Sequence, residues 1–301
     1  MSSLGYFIKN PRNIGLYIIL KCAKYIHNDK LYLQLRYYLE LGKKLDLMHP
    51  LTFSEKLNWL KLYNRKSEYT MMVDKFAVKK YVAEKIGEEY IIPTIGVWDT
   101  PEEIDPTYLP DQFVLKTTHG GGGNGIVICK DKSLFNRELT IEKLNKAMKA
   151  DIYTRYREWP YKNVTRRIIA EQYMVDNSST ELNDYKLFCF NGTPKLCQVI
   201  SDRRTEEKID FYDMQWKRVE SLVGLNPKVN NSITIISCPN SFEEMKQIAT
   251  ILSQGIPFTR IDLYEVNGHC YFGEITFFPA GGMGYFRPEE WNEKIGSWIT
   301  L

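Results

Sequence analysis

The chain has 301 residues, and hydrophobic residues make up 44% of it, the fraction of an ordinary globular protein. The 40 basic and 37 acidic residues are interspersed and leave a formal net charge of +3. Because no strong positive field results, nucleic acid is not an expected partner. The length allows a large core, built either as two lobes or as one domain with a smaller subdomain.

Six cysteines lie far apart, without a C-x-x-C pair, and four of them are in apolar runs typical of strands. This spacing favours buried free thiols in a reducing compartment. The chain opens without a secretory signal, and its longest early apolar run, residues 16–20, is too short to span a bilayer. We therefore expect a cytoplasmic protein.

Residues 1 to about 48 are rich in Lys, Tyr and Leu and have helical spacing. Basic residues around Tyr17, Ile18 and Ile19 would suit a helix that lies on the inner surface of a membrane. The apolar face is short, however, which favours a helical extension packed on the main domain or on a partner. Both alternatives stay open at this point.

Helical patterns continue after this extension. Thr52 and Glu55 have the spacing of a capping box for a helix over SEKLNWLKLYN. A second helix is predicted from about Tyr69 to Gly87, before a strand that Pro93 interrupts. Thr100 should begin a short helix, since a proline and two glutamates follow it.

A glycine-rich hairpin, FVLKTTHGGGGNGIVICK, lies near the middle of the chain. Phe113 to Leu115 and Ile126 to Cys129 predict paired strands, and the loop between them has five glycines in six positions. Without Cβ atoms, its N–H groups can close around phosphate oxygens, and Lys116 would add a positive charge. The loop matches neither a P-loop nor a dinucleotide fingerprint. It is a phosphate-covering hairpin or, alternatively, a flexible glycine turn with a lysine at its root.

An amphipathic helix is predicted over LTIEKLNKAMKADIY, after the hairpin. The following stretch, residues 154–167, is typical of a solvated connection more often than of a substrate-binding lid. From Ile168 antiparallel strands are predicted, with tight turns at Asn191-Gly192 and Asn267-Gly268. One helix interrupts them, from Ser241 to Gly255, with Ser241 and Glu244 as a capping box. This alternation predicts an α+β protein.

Two carboxylates mark the last pair of predicted strands. Asp262 and Glu274 are each on an otherwise apolar segment, where facing carboxylates repel one another and need a cation. Mg²⁺ prefers carboxylate oxygens and bridges nucleotide phosphates, so the glycine loop favours a metal site here. The alternative is a strand-end role, or pairing with an arginine such as Arg260.

Further charged residues precede this pair. Asp184 and Lys186 should share one strand face, where an acid can bind ribose hydroxyls and a base can bind phosphate or a substrate carboxylate. Arg203 and its neighbour Arg204 would hold an anionic substrate or a transferring phosphoryl group, or else form surface ion pairs. His119, beside the glycines, could touch phosphate. The spacing indicates no Ser/His/Asp or Cys/His group and no zinc pattern.

Together these segments resemble the ATP-grasp superfamily, and in detail its TupA-like family, associated with teichuronopeptide and capsular polysaccharide synthesis. The resemblance extends over nearly all of the chain from about Leu47 onward. Its carriers are LTFSEKLNWLKLYNR, VDKFAVKKYV, GEEYIIPTIGVWD, LPDQFVLKTTHGGGG, IIAEQY, DYKLFCFNG and GEITFFPAGG. It implies an α+β ATP-grasp fold, in which two subdomains with antiparallel sheets hold the nucleotide. The implied units are a helical extension (1–50), an N-terminal α/β part (51–110), a glycine-loop subdomain covering ATP (111–170) and a C-terminal subdomain with the metal site (171–301).

The resemblance also implies roles for residues. Lys75 and Lys116 match the two nucleotide lysines, and Glu171 matches the hinge acid near adenine. With the glycine loop, the expected ATP-binding residues are Lys75, Lys116, His119, Gly120, Gly121, Gly122, Gly123, Glu171, Gln172, Tyr173, Met174, Asp184 and Lys186. The expected catalytic residues are Arg203, Lys186 and Lys116. The expected metal ligands are Asp262, Glu274 and Thr276. Because Thr276 stands where the superfamily usually has asparagine, a second metal site is in doubt.

The family implies an ATP-dependent carboxylate–amine ligase that works with Mg²⁺ through an acyl phosphate. The carboxylate would be that of a uronic acid in a polysaccharide or its precursor, and the co-substrate an amine or amino acid. A glycosyltransferase is one alternative, although no Asp-x-Asp motif is found. A non-catalytic ATP-binding module of a capsule assembly complex is another, and only Thr276 favours it. A phosphotransferase that ends at a phosphate ester is a third, since the same ATP site would serve it.

Overall fold

The computed structural model describes residues 11–121, 123–177, 182–201, 207–225 and 229–301. The helices in these ranges are α1 (Pro11–Lys21), α2 (Asp29–Leu41), α3 (Phe53–Tyr63), α4 (Glu68–Val73), α5 (Ala77–Ile86), α6 (Arg137–Met148), α7 (Ile152–Tyr156), α8 (Phe242–Leu252) and α9 (Glu290–Ser297). The strands are β1 (Thr94–Trp98), β2 (Phe113–Thr117), β3 (Ile126–Cys129), β4 (Ile168–Gln172), β5 (Asp184–Phe190), β6 (Thr193–Ser201), β7 (Lys208–Tyr212), β8 (Val223–Gly224), β9 (Phe258–Val266), β10 (His269–Thr276) and β11 (Phe286–Arg287). The predicted α+β class is confirmed.

The N-terminal helices form an antiparallel hairpin. Gly15 of α1 lies against Leu39 of α2, and Arg12 lies against Gly42 just beyond α2. The inner face of α2 is buried at Tyr32, Leu33, Arg36 and Tyr37. The predicted helical extension is thus confirmed for residues 11–41, whereas residues 1–10 lie outside the described ranges. Among the described helices none is long and apolar enough to cross a bilayer.

Helix α3 begins with the predicted capping box. The N–H of Glu55 donates to Thr52 Oγ1 at 3.3 Å, and the N–H of Thr52 donates to the Glu55 carboxylate at 2.9 Å. Both residues are within one turn of each other, so this local pattern alone was enough to place the start of the helix.

The prediction of one helix from about Tyr69 to Gly87 is wrong. The chain leaves helical geometry at Asp74, whose carboxylate accepts the N–H groups of Phe76 and Ala77 at 2.9 and 3.2 Å. These bonds end α4 and start α5, because the side chain satisfies N–H groups that a continuous helix would bond to main-chain carbonyls.

The first sheet has the strand order β1-β4-β2-β3, and all neighbouring strands are antiparallel. The predicted hairpin of β2 and β3 is confirmed. On one face of β2, Phe113 and Leu115 join a buried cluster with Leu144 of α6. Val114 and Lys116 therefore point to the opposite face. Because β1 belongs to this sheet, the sheet spans the predicted boundary at residue 110, and the predicted domain limits stay predictions.

The second sheet has the order β10-β9-β5-β6-β7 and is also antiparallel. The predicted turns Asn191-Gly192 and Asn267-Gly268 are confirmed, with all four residues at positive φ, as a type I′ turn requires. The central strand β5 is buried at every position. One continuous hydrophobic core joins this sheet to helices α3, α4, α5, α8 and α9, so α3, α4 and α5, which precede β1, pack on the C-terminal sheet.

One predicted helix start and one predicted cap differ from the structure, although α8 does begin directly after Ser241, as predicted. At Thr100 only a 3₁₀ turn forms, Pro101–Glu103, without a side-chain cap. The capping box of Ser241 and Glu244 is wrong: the N–H and hydroxyl of Ser241 donate to Glu265 of β9 at 2.7 and 2.6 Å. Glu244 instead accepts the hydroxyl of Tyr90 at 2.7 Å. Ser241 and Glu244 thus bond to residues that are distant in the chain and not to each other's backbone.

All six cysteines are free thiols, as expected. Four of them, Cys129, Cys189, Cys197 and Cys270, are buried in the strands as expected, whereas the expected burial is wrong for Cys22 and Cys238, which are exposed. Burial raises the pKa of the Cys189 and Cys270 thiols to about 12. These two thiols are therefore neutral packing groups at ordinary pH.

Candidate active site

One face of the first sheet carries a mixed charged and apolar surface. Val114 lies opposite both Ile128 and Glu171, and Lys116 lies opposite both Ile126 and Ile169. Directly opposite residues of an antiparallel pair share a face, so these side chains form two adjacent rows. Ile128 is 51% exposed on this face. The sheet thus offers open apolar surface next to a lysine and a carboxylate.

Glu171 lies between two lysines on this face. Its carboxylate is 2.5 Å from Lys116 Nζ and 2.7 Å from Lys79 Nζ. Burial opposes its ionisation, but the two ammonium groups outweigh that effect and lower the pKa of Glu171. Lys79 also donates to the carbonyl of Ile92 and the hydroxyl of Thr94, both at 2.7 Å. The sequence analysis missed Lys79, because no local signal relates it to Glu171, which is far away in the chain.

The glycine loop leaves room that side chains would fill. A Cβ at Gly120 or Gly125 would lie 2.2 or 2.3 Å from Thr117 Oγ1. A Cβ at Gly123 would meet nothing within 4 Å, but the residue has φ +79°, which favours glycine. Gly121 is also open, and Gly122 lies outside the described residues. The backbone at Gly120 and Gly125 therefore packs closely on Thr117, and the binding of phosphate by this loop stays a prediction.

His119, at the start of this loop, is only 3% exposed. Neither ring nitrogen has a hydrogen-bond partner among the described residues. Burial, helped by the nearby guanidinium of Arg166, lowers the pKa of His119. The imidazole is therefore neutral at ordinary pH, and a contact with phosphate remains a prediction.

Lys75 connects the glycine loop with the second sheet. Its N–H donates to the carbonyl of Thr118 at 2.9 Å, at the entrance of the loop. Its ammonium group lies 2.5 Å from the carboxylate of Glu274 on β10. The break at Asp74 makes both contacts possible, because it takes Lys75 out of the helix just before α5 begins.

A row of opposite charges crosses the second sheet at this point. Lys186 lies opposite Asp262, and Asp262 lies opposite Glu274. Asp262 accepts a hydrogen bond from Lys186 at 2.5 Å and two from Arg260, both at 2.6 Å. Asp184 extends the row, 3.8 Å from Lys186 Nζ. The predicted common face of Asp184 and Lys186 thus exists.

The electrostatics of this row keep the Glu274 carboxylate ionised. Burial opposes ionisation of Glu274, but Lys75, Lys186 and Arg260 outweigh it and hold the pKa of Glu274 well below its usual range. Burial likewise opposes the charge of Arg260, and Asp262 more than compensates, so the pKa of Arg260 is raised. The pairing of Asp262 with Arg260, an alternative left open by the sequence, is present.

Thr276 lies at the end of the same row. Its hydroxyl accepts a hydrogen bond from Arg260 at 3.2 Å and lies 3.5 Å from Glu274 Oε1. Within the described ranges no group of three or more His, Cys, Asp and Glu side chains is arranged around one point. Two opposed carboxylates still fit Mg²⁺, which binds through one or two carboxylates plus waters and nucleotide phosphates. The three cations of the row, Lys75, Lys186 and Arg260, and the glycine loop are groups of the kind that bind phosphate oxygens.

The predicted hinge residues follow Glu171 at the end of β4. The N–H of Gln172 donates to the carbonyl of Pro93 at 3.0 Å, and Lys130 Nζ lies 5.7 Å from the ring of Tyr173. Gln172 and Tyr173 line an open cleft of about 760 Å³ beside β1. Met174 comes next in the chain, outside the strand. Arg203 lies outside the described residues, so its predicted catalytic role is not addressed by the geometry.

The arginine- and tyrosine-rich stretch before β4 reaches the same site. Its middle forms a 3₁₀ turn, Trp159–Asn163, and Arg157 and Glu158 before it are buried. The expected solvated connection is therefore wrong at these two positions. Burial, together with the charges of Glu158 and Glu274, raises the pKa of Tyr161 far above its usual range. Sequence analysis gave Tyr161 no role beside Glu274, because nothing local relates the two residues.

The two sheets, joined through Lys75, define an α+β protein with ion-paired lysine and arginine side chains clustered on both sides of one junction. The family model of TupA-like ATP-grasp proteins matches residues 55–300, so the chain belongs to this family and to the ATP-grasp superfamily of ATP-dependent ligases. The predicted recognition and fold are thus confirmed. A search of curated proteins finds no match.

Solved structures with a similar arrangement include three ligases. D-alanine–D-alanine ligase from Helicobacter pylori is 13% identical, with a TM-score of 0.45, over 82% of this chain and 69% of that one. The Bacillus anthracis enzyme complexed with ATP is 15% identical, with a TM-score of 0.39, over 70% of this chain and 55% of that one. The ATP-grasp ligase PsnB, complexed with minimal precursor, Mg and ADP, is 13% identical, with a TM-score of 0.39, over 85% of this chain and 65% of that one. This chain thus spans little more than half of the Bacillus anthracis ligase.

Proposed function

We propose that the protein is an ATP-dependent carboxylate–amine ligase that forms an amide through an acyl phosphate. The carboxylate substrate is a uronic acid in a capsular or cell-wall polysaccharide or its precursor, and the co-substrate is an amine or amino acid. Membership of the TupA-like ATP-grasp family supports the ligase class. The proposal of a uronic acid is based on the family resemblance, and the proposal of a cytoplasmic location is based on the sequence.

The observation that carries this proposal is the position of Lys75. Its main chain bonds to the glycine hairpin at Thr118, and its side chain bonds to Glu274 on the second sheet. One residue thus couples the loop that would cover the phosphates to the charged row that would surround the phosphoryl group during its transfer. Preorganised cations at such a point stabilise the charge of phosphoryl transfer.

In the proposed reaction, a substrate carboxylate oxygen attacks the γ-phosphorus of ATP. The new P–O bond forms as the bond to the β,γ-bridging oxygen breaks, which gives an acyl phosphate and ADP. The amine nitrogen then attacks the acyl carbon, the C–O bond to phosphate breaks, and the nitrogen loses a proton to solvent or phosphate. Lys75, Lys116 and Lys186 hold the phosphate oxygens, and Arg203 is proposed for the acyl substrate. The glycine loop excludes water from the acyl phosphate.

Asp262 and Glu274 are proposed to hold Mg²⁺, which would supply charge neutralisation between the nucleotide phosphates. Arg260 donates two hydrogen bonds to the Asp262 carboxylate and so sets its orientation. Thr276 is a weaker oxygen ligand than an amide carbonyl, so it is proposed only as an auxiliary ligand.

The nucleotide is proposed to lie on the open face of the first sheet. Lys116, next to the glycines, would bind phosphate, and Asp184 would bind the ribose. The exposed side chain of Ile128 and the neighbouring Val114 would contact the flat adenine base, with the main chain of Gln172 to Met174 at its edge. His119 is proposed as a neutral contact of the phosphate loop.

The test is release of ADP from Mg·ATP with a panel of uronic acids crossed with amines and amino acids. Wild type is assayed beside Glu274→Gln and beside Glu243→Gln, a control whose side chain is 80% exposed on α8. We expect ADP only when acid and amine are both present, and its loss by about 100-fold or more in Glu274→Gln alone. Hydroxylamine should trap the acyl phosphate as a hydroxamate. ADP release without a trapped hydroxamate would indicate transfer to a hydroxyl and contradict the ligase proposal.

A second candidate is a non-catalytic ATP-binding module, and one observation favours it. Both carboxylates proposed for the metal already have cationic partners, Asp262 with Lys186 and Arg260, and Glu274 with Lys75. Calorimetry of ATP binding separates the two candidates: a module binds ATP with Mg²⁺ and releases no ADP with any acid and amine pair. No binding of ATP at all would contradict both.

A further inference from the structure

The N-terminal hairpin carries apolar side chains on its outer face as well as on its inner one. In α1, Ile19 is buried, whereas Ile14, Tyr17 and Ile18 are 42%, 54% and 54% exposed. These three residues have the i, i+3, i+4 spacing of one helix face. A helix that is apolar all round is normally covered on all sides, so the outer face of α1 is a surface that another apolar phase would cover.

A second exposed stripe runs along α2. Leu31, Leu35 and Tyr38 follow each other at i, i+4 and i+7 and are 48%, 43% and 54% exposed. The opposite side of α2 is the one that packs on the main body. Because α1 and α2 are antiparallel neighbours, both stripes lie on the solvent side of the same hairpin.

The charges beside the stripe of α1 have one sign, and the acids of α2 are ion-paired, Glu40 with Arg36 of the same helix. From residue 11 to residue 28 the chain has no acidic side chain. Lys21 Nζ lies 5.6 Å from the ring of Tyr17, and Lys24 Nζ lies 4.8 Å from the ring of Tyr25, which is 68% exposed. Asp29, the first acid of α2, points inward, where it pairs with arginines of the main body. The outer face therefore combines apolar, tyrosine and lysine side chains.

We propose that this outer face of α1 and α2 binds the surface of an anionic lipid bilayer. Negative headgroups complement the lysines, the apolar side chains enter the acyl boundary, and tyrosines are favoured at that depth. A second copy of the chain fits less well, because it would bring the same positive charges together. This inference goes beyond the proposed ligase activity and does not depend on it.

The test is flotation of the full-length protein with vesicles of phosphatidylcholine, alone or with about one third phosphatidylglycerol. One variant removes apolar contact (Tyr17→Ser with Ile18→Ser), and a second removes charge (Lys21→Gln with Lys24→Gln). The matched control is Ile233→Ser with Ile235→Ser, at positions that are 98% and 65% exposed and lie outside the hairpin. Thermal unfolding of each variant checks that the fold is kept.

We expect wild type to float with the anionic vesicles and not with the uncharged ones, and to be released by high salt. The lysine variant should bind about 30-fold more weakly, since each basic residue near such a surface contributes about 1 kcal/mol. The apolar variant should bind at least about tenfold more weakly, and the control should match wild type. Failure of wild type to float at low salt would overturn the proposal. So would an apolar variant that binds like wild type, or a concentration-dependent dimer that Tyr17→Ser with Ile18→Ser dissociates.

Discussion

Glu171→Gln tests whether the buried contact between the lysines of α5 and β2 and the carboxylate of β4 is a charge interaction. The Glu171 side chain is 7% exposed, and its two partners Lys79 and Lys116 are 12% and 19% exposed. Breaking a buried pair costs about 3–5 kcal/mol. Glutamine keeps one acceptor oxygen, which recovers about 1 kcal/mol, and the partial exposure of the lysines lowers the cost further. We therefore expect a loss of about 2 kcal/mol at pH 7.

The effect should also depend on pH in a definite direction. The folded-state pKa of Glu171 is lowered, so its contribution is complete above the unfolded value of about 4.3 and is lost as pH falls through the folded value. Urea unfolding followed by tryptophan fluorescence, at pH 7 and at pH 4, measures the difference between wild type and Glu171→Gln. We expect the difference in the free energy of unfolding between wild type and Glu171→Gln to be smaller at pH 4 than at pH 7.

The control for this experiment is Glu243→Gln, an exposed glutamate that should change the free energy of unfolding by less than about 0.5 kcal/mol. The double variant Glu171→Gln with Lys79→Met should recover part of the loss, because it removes one uncompensated charge. Equal stability of wild type and Glu171→Gln at pH 7 would refute the reasoning. A difference that stays the same down to pH 4 would show that a neutral hydrogen bond, rather than charge, holds the strands.

Two further substitutions test other parts of the structure by thermal unfolding. Gly120→Ala should lower the free energy of unfolding by about 1–3 kcal/mol, because the new Cβ would lie 2.2 Å from the buried hydroxyl of Thr117. The control is Gly121→Ala, whose Cβ would meet one methyl carbon at 3.9 Å and which should lower it by less than about 0.5 kcal/mol. Equal effects of the two would contradict the packing argument. Asp29→Asn should cost about 2 kcal/mol, since Asp29, 15% exposed, forms an ion pair with Arg157, whose Nε lies 2.9 Å from the Asp29 carboxylate; an unchanged midpoint would show that this ion pair does not fix the hairpin to the body.

The parts of the fold that the sequence predicted correctly depend on short-range signals. The capping box of Thr52 and Glu55 and the Asn-Gly turns each need only residues within one turn of chain. The glycine hairpin belongs to the same class, because its strands and loop are contiguous. In the site, Asp184 and Lys186 share a face for the same reason: strand alternation places every second residue on one side.

The parts that the sequence did not predict depend on distant partners. Ser241 has the right local pattern for a cap, but Glu265 of β9 binds its N–H and hydroxyl. Lys79 reaches Glu171, 92 positions further along the chain, only because α5 packs beside β1 and β4. The local sequence predicts Asp74 inside a helix. In the structure the helix is broken there, and Lys75 contacts both Thr118 and Glu274, which are distant in the chain. The periodicity of a sequence reflects local geometry and therefore does not predict such long-range contacts.

The charges of the row on the second sheet imply an order of ligand binding. Its carboxylates are Asp184, Asp262 and Glu274, and its cations are Lys75, Lys186 and Arg260. The row is thus neutral before any ligand enters, and Mg²⁺ alone would meet ammonium and guanidinium groups within 4 Å of its proposed ligands. ATP would reverse this balance by drawing the cations to its phosphates. We therefore expect calorimetry to show Mg²⁺ binding with ATP and none in the millimolar range without it. Lys186→Met, which removes one cation while Arg260 still holds Asp262, should bind free Mg²⁺ more tightly; tight Mg²⁺ binding by nucleotide-free wild type would contradict this charge argument.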